Sequence, residues 1–553
     1  MVKEDKRSTS YVYLPSIWDH EFVQSLKSDY TIESKYSRRV EELKECVRRM
    51  FFDHPLASFD LLMLINIIQR LGIGYHFDTE IKAALCFGAL RFRLLRQHGY
   101  EVSQDFFKNF LEETRSSPMK ARMGNYKDVE GNLSVYEASF YAYPGEKILR
   151  EVQEFSVNFL KEYITMMEKE VEEDDNKKTI MKKMVSHALV MPLHWSMPRV
   201  QTRWFIDVYE MMEEGMNPLL LEFAKLDFNM VQAIHQEDLK NISRWWQELN
   251  YLDILKFSRD RWVEAFFCSV GSNYEPNMSG YRKHIAKLSC LLSTIDDMHD
   301  IYASPDDIKR FDDAIERWDV NTLEDLPYFM KVCFMAMFNL LNDIAYDILK
   351  KHGFHAISYL KKGIAIFCKA NLVETNWHEY TPTLEEHLNN SWISAGGGLL
   401  PPITFFNVVK EPMKEALECI NNFSLPNHTG RYAFEVVRLT NDLGTSSDEL
   451  KRGAVPTSIQ CYMHETGVSE SAAREHIKHV INDKWEMMNN DKFSQSVYPD
   501  SFIDTMQNFA RASHALYQFD EGYYGDGYGV ASGSLTKGHI TSLFFEPIPV
   551  LPK

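Results

Sequence analysis

The chain has no surplus of positive charge. Lys and Arg number 61 against 79 Asp and Glu, a net charge of −18, which disfavours an electrostatic grip on nucleic acid or an anionic membrane, because both need clustered basic side chains. Its eight cysteines (46, 86, 268, 290, 333, 368, 419 and 461) are scattered, with no CxxC pair and no histidine close by at zinc-site spacing. They read as reduced, mostly buried thiols rather than a disulfide frame or zinc ribbon. Strand alternation is scarce, and there is no solenoid repeat, no heptad run and no uninterrupted apolar stretch suited to a membrane helix. None of the 19 histidines has a Glu three residues before it, which counts against a carboxylate di-iron bundle. The first residues, MVKEDKRSTSYVYLPSIW, have neither the apolar core of a secretory signal nor the Ser/Arg-rich, acid-poor character of a transit peptide. A cytoplasmic location is expected, or a plastid one if a transit peptide has been removed.

What is present is helical. From about Glu33 onward, SRRVEELKECVRRMF and FDLLMLINIIQRLGIG place apolar residues at three- and four-residue spacing. With 553 residues, 45% of them hydrophobic, two domains suffice. Gly215 and Pro218 interrupt the pattern in EEGMNPLL, so the expected division is 1–214, a packing domain, and 215–553, the catalytic bundle. The charged run EKEVEEDDNKK at 168–178 reads as an exposed helix end or loop. SAGGGLLPP at 394–402 is either a plain loop or a broken helix whose freed carbonyls face a cavity.

Two acidic motifs stand about 140 residues apart. Asp296, Asp297 and Asp300 in DDMHD occupy i, i+1 and i+4, one side of an α-helix; Asn441, Thr445 and Glu449 in NDLGTSSDE occupy i, i+4 and i+8, a single stripe of oxygen ligands. Either motif alone could be a solvated acidic face in a chain this rich in carboxylates. As a pair they describe two Mg²⁺ cradles with a diphosphate between them, since hard cations take carboxylate and phosphate oxygens. That chemistry would ionise an allylic diphosphate.

Around these motifs lie RDRWVE (259–264), SRWWQEL (243–249), RLTNDLGTSSDE, SIQCYMHETG (458–467), FRLLRQHGYEVSQ (92–104) and YEASF (136–140). In these segments the chain resembles the plant class I terpene synthases along nearly its whole length, nearest to the angiosperm monoterpene, isoprene and farnesene synthases. The resemblance implies an all-α protein with an N-terminal α-barrel domain and a C-terminal class I terpenoid synthase bundle. It implies three Mg²⁺ ions, with Mn²⁺ a possible substitute, held by Asp296, Asp297 and Asp300 on one side and by Asn441, Thr445 and Glu449 on the other. Arg259, Arg261 and Arg438 would bind the diphosphate, a role suited to forked guanidinium donors. Arg259 and Arg261 could instead be ordinary helix-face partners of Asp260 or Glu264. Tyr517, Asp526 and Tyr528 are candidates for an aromatic C-terminal lid, with core or loop tyrosines the alternative.

Four departures from the family pattern matter, two of them for the product. The N-terminal tandem arginine is reduced to Lys6-Arg7, with Trp18 too far along, and Cys268 stands where many cyclising relatives carry tryptophan. Both point to acyclic products. Thr457 replaces a commonly basic residue, and EIKAALCFGALRFRLLRQHG (80–99) is shorter than in relatives. No DxDD motif is present, so cyclisation started by protonation is not expected. The resulting expectation is a monomeric terpene synthase that ionises a prenyl diphosphate, farnesyl first and geranyl second. It would release an acyclic terpene such as farnesene, nerolidol, ocimene or linalool. The alternatives are a cyclic monoterpene synthase and a helical family member impaired in catalysis.

Overall fold

The computed structural model describes residues 15–31, 35–54, 58–84, 89–116, 126–169, 176–255, 257–420, 422, 428–452, 455–494, 497–517 and 535–550. Among them there are helices and turns but no strand, as the three- and four-residue apolar spacing requires.

The chain divides into two compact units. One comprises residues 28–233, 485–496 and 542–553. Its core illustrates how periodicity becomes packing: Val129, Leu133, Tyr136 and Phe140, spaced four, three and four apart, meet Phe159, Leu160 and Tyr163 of the Lys147–Met167 helix and Met181 and Val185 of the Asn176–Val190 helix. The opposite face of the same segment sends Val135 and Ala138 against Phe92, Phe107 and Leu149, so the 80–99 segment contributes Phe92 to this core. The charged run at 168–178 joins those two helices; 170–175 lie outside the described residues.

The other unit comprises residues 1–27, 234–484 and 497–541. We number its helices α1 (Pro218–Leu249), α2 (Trp262–Ser272), α3 (Ser279–Asp297), α4 (Pro305–Arg317), α5 (Tyr328–His352), α6 (Ile357–Thr375), α7 (Leu384–Trp392), α8 (Leu400–Val408), α9 (Thr429–Arg452) and α10 (Asp500–Leu516). The chain does break at Gly215, which has φ +83°, ahead of Pro218 at the start of α1. The division into compact units runs between Ala233 and Ile234, inside α1.

The opening residues belong to this second unit. Ser16 N donates to Asp260 Oδ2 (3.2 Å), Trp18 Nε1 to Glu264 Oε1 (3.1 Å) and Gln24 Nε2 to the Lys240 carbonyl (3.0 Å). Trp18 is thus seated against the RDRWVE segment; Lys6 and Arg7 lie outside the described residues.

By length and overall composition the 25 residues of α5 could cross a membrane, although charged residues interrupt their apolar run. They instead bury a stripe, Met330, Phe334, Met337, Leu341, Ile344 and Ile348, in the bundle, and Lys331, Asp343, Asp347 and Lys350 occur along the same helix.

Candidate functional site

α3 ends at Asp297, and Met298–Tyr302 continue as a π-helical turn. Asp300 therefore lies on a widened turn rather than on the α-helix that i, i+1, i+4 spacing suggested. Such turns are rare and recur at functional sites. Met298 and His299 are completely buried and Asp297 nearly so, while Asp296 keeps 27% of its side-chain exposure. The two neighbouring carboxylates consequently differ. Arg259 donates its backbone N–H (3.1 Å) and its Nε (3.1 Å) to Asp297 Oδ2 and reaches Asp296 through Nη2. Burial pushes Asp297 up to about 6 against the pull of Arg259. Burial and the charges of Asp296 and Glu374 raise Asp300 well above the ordinary carboxylate range, with Arg438 pulling the other way.

The second motif lies on α9, an unbroken helix from Thr429 to Arg452, so Asn441, Thr445 and Glu449 do share one stripe. The Thr445 hydroxyl donates to the Asn441 carbonyl (2.9 Å), which commits its proton and leaves oxygen lone pairs available. Asp442 has a different role. It is fully buried, accepts the Ser458 N–H (2.9 Å) and sits 3.0 Å from Arg438 Nε. Beside it, burial pulls His387 down to about 4, so that imidazole is neutral. Arg438 also reaches Glu374 (3.5 Å) and feels Glu449 and Asp296. The two motifs, far apart in sequence, therefore meet around one guanidinium.

A cavity of about 180 Å³ opens beside them, lined by Asp296, Asn441, Arg259 and Arg438 together with Phe367, Phe434, Phe509, Leu292, Leu400 and Cys268. One water needs roughly 10–15 Å³, so the space exceeds that of a few waters. SAGGGLLPP is a broken helix, not a plain loop: α7 ends at Trp392, a π turn covers Ile393–Gly397 with Gly396 at φ +100°, and α8 follows. Only glycine holds that φ cheaply. Ser394 and Ala395 of the break line the cavity.

The remaining expectations divide. Arg261 is buried ahead of α2, donates to the Asp260 carbonyl (2.9 Å) and is not among the cavity-lining residues. Tyr517 does line the cavity, at the end of α10. Its Cβ lies 3.2 Å from where a Cβ on Gly444 would stand, so the glycine within NDLGT leaves room for the start of the Tyr517 side chain. Asp526 and Tyr528 lie outside the described residues. Thr457 acts as a cap: its N–H meets Gln460 Oε1 (3.1 Å) and its hydroxyl meets Ser446 (3.1 Å), tying the next helix to the second motif. Glu374 was not foreseen. It is a buried carboxylate near the end of α6 that accepts from the Ser394 hydroxyl. Nothing in the local sequence separates it from any other helical glutamate.

The donor set fits a hard divalent cation. Asp296, Asp300, Asn441, Thr445 and Glu449 offer only oxygen, and Asp300 is a carboxylate short of positive charge.

Comparison with known proteins agrees. The terpene synthase metal-binding domain matches residues 247–487, and the terpene synthase N-terminal domain matches 17–88 and 86–189, the two matches meeting within 80–99. The chain is 43% identical to a (-)-alpha-terpineol synthase of Vitis vinifera, over 98% of this chain and 90% of that protein. It is 43% identical to a chloroplastic myrcene synthase of Quercus ilex, over 97% and 89%. Among solved structures, the isoprene synthase of grey poplar (Populus x canescens), in complex with three Mg²⁺ ions and dimethylallyl-S-thiolodiphosphate, superposes with TM-score 0.82 at 36% identity, over 97% and 99% of the two chains. A limonene synthase with 2-fluorolinalyl diphosphate gives 0.87 at 32%, over 97% and 99%. With both domains matched in order and the acidic motifs gathered at one apolar cavity, this chain belongs to the terpene synthases, an all-α family of metal-dependent lyases that act on prenyl diphosphates.

Proposed function

We propose that the enzyme ionises geranyl diphosphate and releases a ten-carbon, mainly acyclic terpene and diphosphate. The observation that carries this reading is the cavity with Asp296, Asn441, Arg259 and Arg438 at one place and Phe367, Phe434 and Phe509 along its walls. Geranyl diphosphate takes precedence over farnesyl diphosphate because the relatives named above include terpineol and myrcene synthases, whose products have ten carbons. The chloroplastic relatives favour a plastid over the cytosol. One unit supplies all the lining residues, so a single chain holds the cavity, and we take a monomer as the working form.

Asp296 and Asp300 would hold metal on one side, and Asn441, Thr445 and Glu449 on the other. Asp297, whose oxygens are engaged by Arg259, we assign to orienting that arginine. Mg²⁺ bound here would supply the electrophilic pull that eases cleavage of the carbon–oxygen bond. Arg259 and Arg438 would grip the diphosphate as charge builds on it. The walls must then offer the cation no nucleophile. Burial pushes the Cys268 thiol up to about 12, so it stays protonated and a weak nucleophile. The Ser513 hydroxyl accepts from Thr440 (2.9 Å) and donates to the Ala510 carbonyl (2.8 Å), which occupies it.

The direct test is volatile analysis of the purified protein with geranyl and farnesyl diphosphate in parallel. Magnesium-dependent release of a ten-carbon terpene is expected, and no diphosphate release from either substrate would overturn the reading. Glu449→Gln keeps the side chain's shape but removes its charge, so the Mg²⁺ concentration for half-maximal rate should rise about tenfold or more, equivalent to about 1.4 kcal/mol of ligand charge. An unchanged magnesium curve contradicts the ligand assignment. Cys268→Trp places a cation-stabilising ring in the cavity. A ring is worth about 0.5–2 kcal/mol to a cation, so the cyclic fraction should rise several-fold in the product profile. If the native enzyme already yields mainly cyclic terpenes from both substrates, the acyclic reading fails.

A further inference from the structure

Three elements bring His299, Asp312 and Cys368 together beneath the first motif. His299 belongs to the π turn, Asp312 to α4 and Cys368 to α6, and one ligand-type atom from each lies within 4.8 Å of the other two. His299 is completely buried, Cys368 is 1% exposed, and the Asp312 side chain is 10% exposed.

The geometry restricts what this cluster can be. His299 Nδ1 lies 2.8 Å from the Ile295 carbonyl, which can only accept, so Nδ1 carries a hydrogen. Nε2 is left to face Asp312 Oδ1 at 3.1 Å, a contact that a proton on Nε2 or a bound cation can bridge. Asp312 Oδ2 is buried and has no hydrogen-bond partner, a costly state for a carboxylate oxygen. A nitrogen and an oxygen each about 2.0–2.1 Å from a tetrahedral Zn²⁺ stand roughly 3.3 Å apart, close to the separation seen.

We propose that His299, Asp312 and Cys368 form a structural site for a borderline divalent cation, Zn²⁺, distinct from the oxygen-lined magnesium cradles. Nitrogen, sulfur and one carboxylate suit zinc and not Mg²⁺. Binding would replace the Cys368 thiol proton, which leaves to solvent as the Zn–S bond forms, with no change of oxidation state. The second Asp312 oxygen is at hand for a further bond. A cation here would fasten the π turn to α4 and α6, and with it the backbone between Asp297 and Asp300. Local spacing concealed the site because its ligands are 13 and 56 residues apart along the chain.

The full-length protein, freed of added metal and passed through gel filtration in Mg²⁺ buffer, should retain about one zinc per chain by mass spectrometry. Replacement with Co²⁺ should give a thiolate-to-cobalt charge-transfer band, which carboxylate-only cradles cannot produce. Cys368→Ser should abolish the band. Asp312→Asn and His299→Gln, checked for folding by circular dichroism, should each weaken Zn²⁺ binding at least about tenfold in competition with a chromophoric chelator. The proposal is overturned if wild-type protein retains no zinc and shows no such band. That outcome would leave an imidazolium–aspartate pair beside a buried thiol. It is equally overturned if zinc or the band persists unchanged in all three variants, which would place the metal elsewhere. Because the readouts are metal content and spectrum, they do not depend on turnover of any prenyl diphosphate.

Discussion

Asp296→Ala is expected to lower turnover about a thousandfold while the protein melts close to the wild-type temperature. A metal ligand at a developing anion contributes several kcal/mol to the transition state, and about 4 kcal/mol corresponds to three decades of rate. The stability cost is small because Asp296 is partly exposed and Arg259 keeps its bonds to Asp297. Asp297→Ala should behave differently. That carboxylate is buried, and its removal leaves the Arg259 backbone N–H and Nε without their acceptor while only Nη2 keeps Asp296, so about 3 kcal/mol of stability should be lost along with activity. Steady-state rates at saturating Mg²⁺, measured beside circular dichroism melts, separate the two cases. Near-normal turnover in Asp296→Ala would remove the first motif from the mechanism.

The second large effect is expected at Arg438. This guanidinium offsets Glu374 and Asp442, both buried, and lies in the field of Glu449 and Asp296. Arg438→Ala leaves two buried carboxylates without their shared countercharge, which should cost about 3–5 kcal/mol of stability. Turnover should also fall by roughly two orders of magnitude, through loss of a forked grip on the departing diphosphate. Arg438→Lys distinguishes the two contributions. A point charge should restore most of the melting temperature, but not the bidentate hold, so inhibition by inorganic diphosphate should stay several-fold weaker than in the wild type. Equal diphosphate inhibition in both proteins would make Arg438 a structural residue only.

Spacing along the chain determined the helical class and the stripe of Asn441, Thr445 and Glu449, because both rest on the 3.6-residue period, a local property of the backbone. It also determined that oxygen-bearing side chains suited to a hard cation occur in two groups, whereas whether the glycines at 396–398 form a plain loop or break a helix was decided only by the structure. Only the tertiary structure decided that those groups converge on Arg438, that Asp297 turns inward to Arg259 while Asp296 faces the cavity, and that Glu374 joins them. The same holds for Phe367, Phe434 and Phe509, which local pattern does not set apart from the other aromatic residues as wall rather than core. The π turn at Met298–Tyr302, the meeting of His299 with Asp312 and Cys368, and the unit boundary inside α1 belong with them. Each depends on which surfaces pack together across long sequence separations, where burial and shape complementarity, not local propensity, set the outcome.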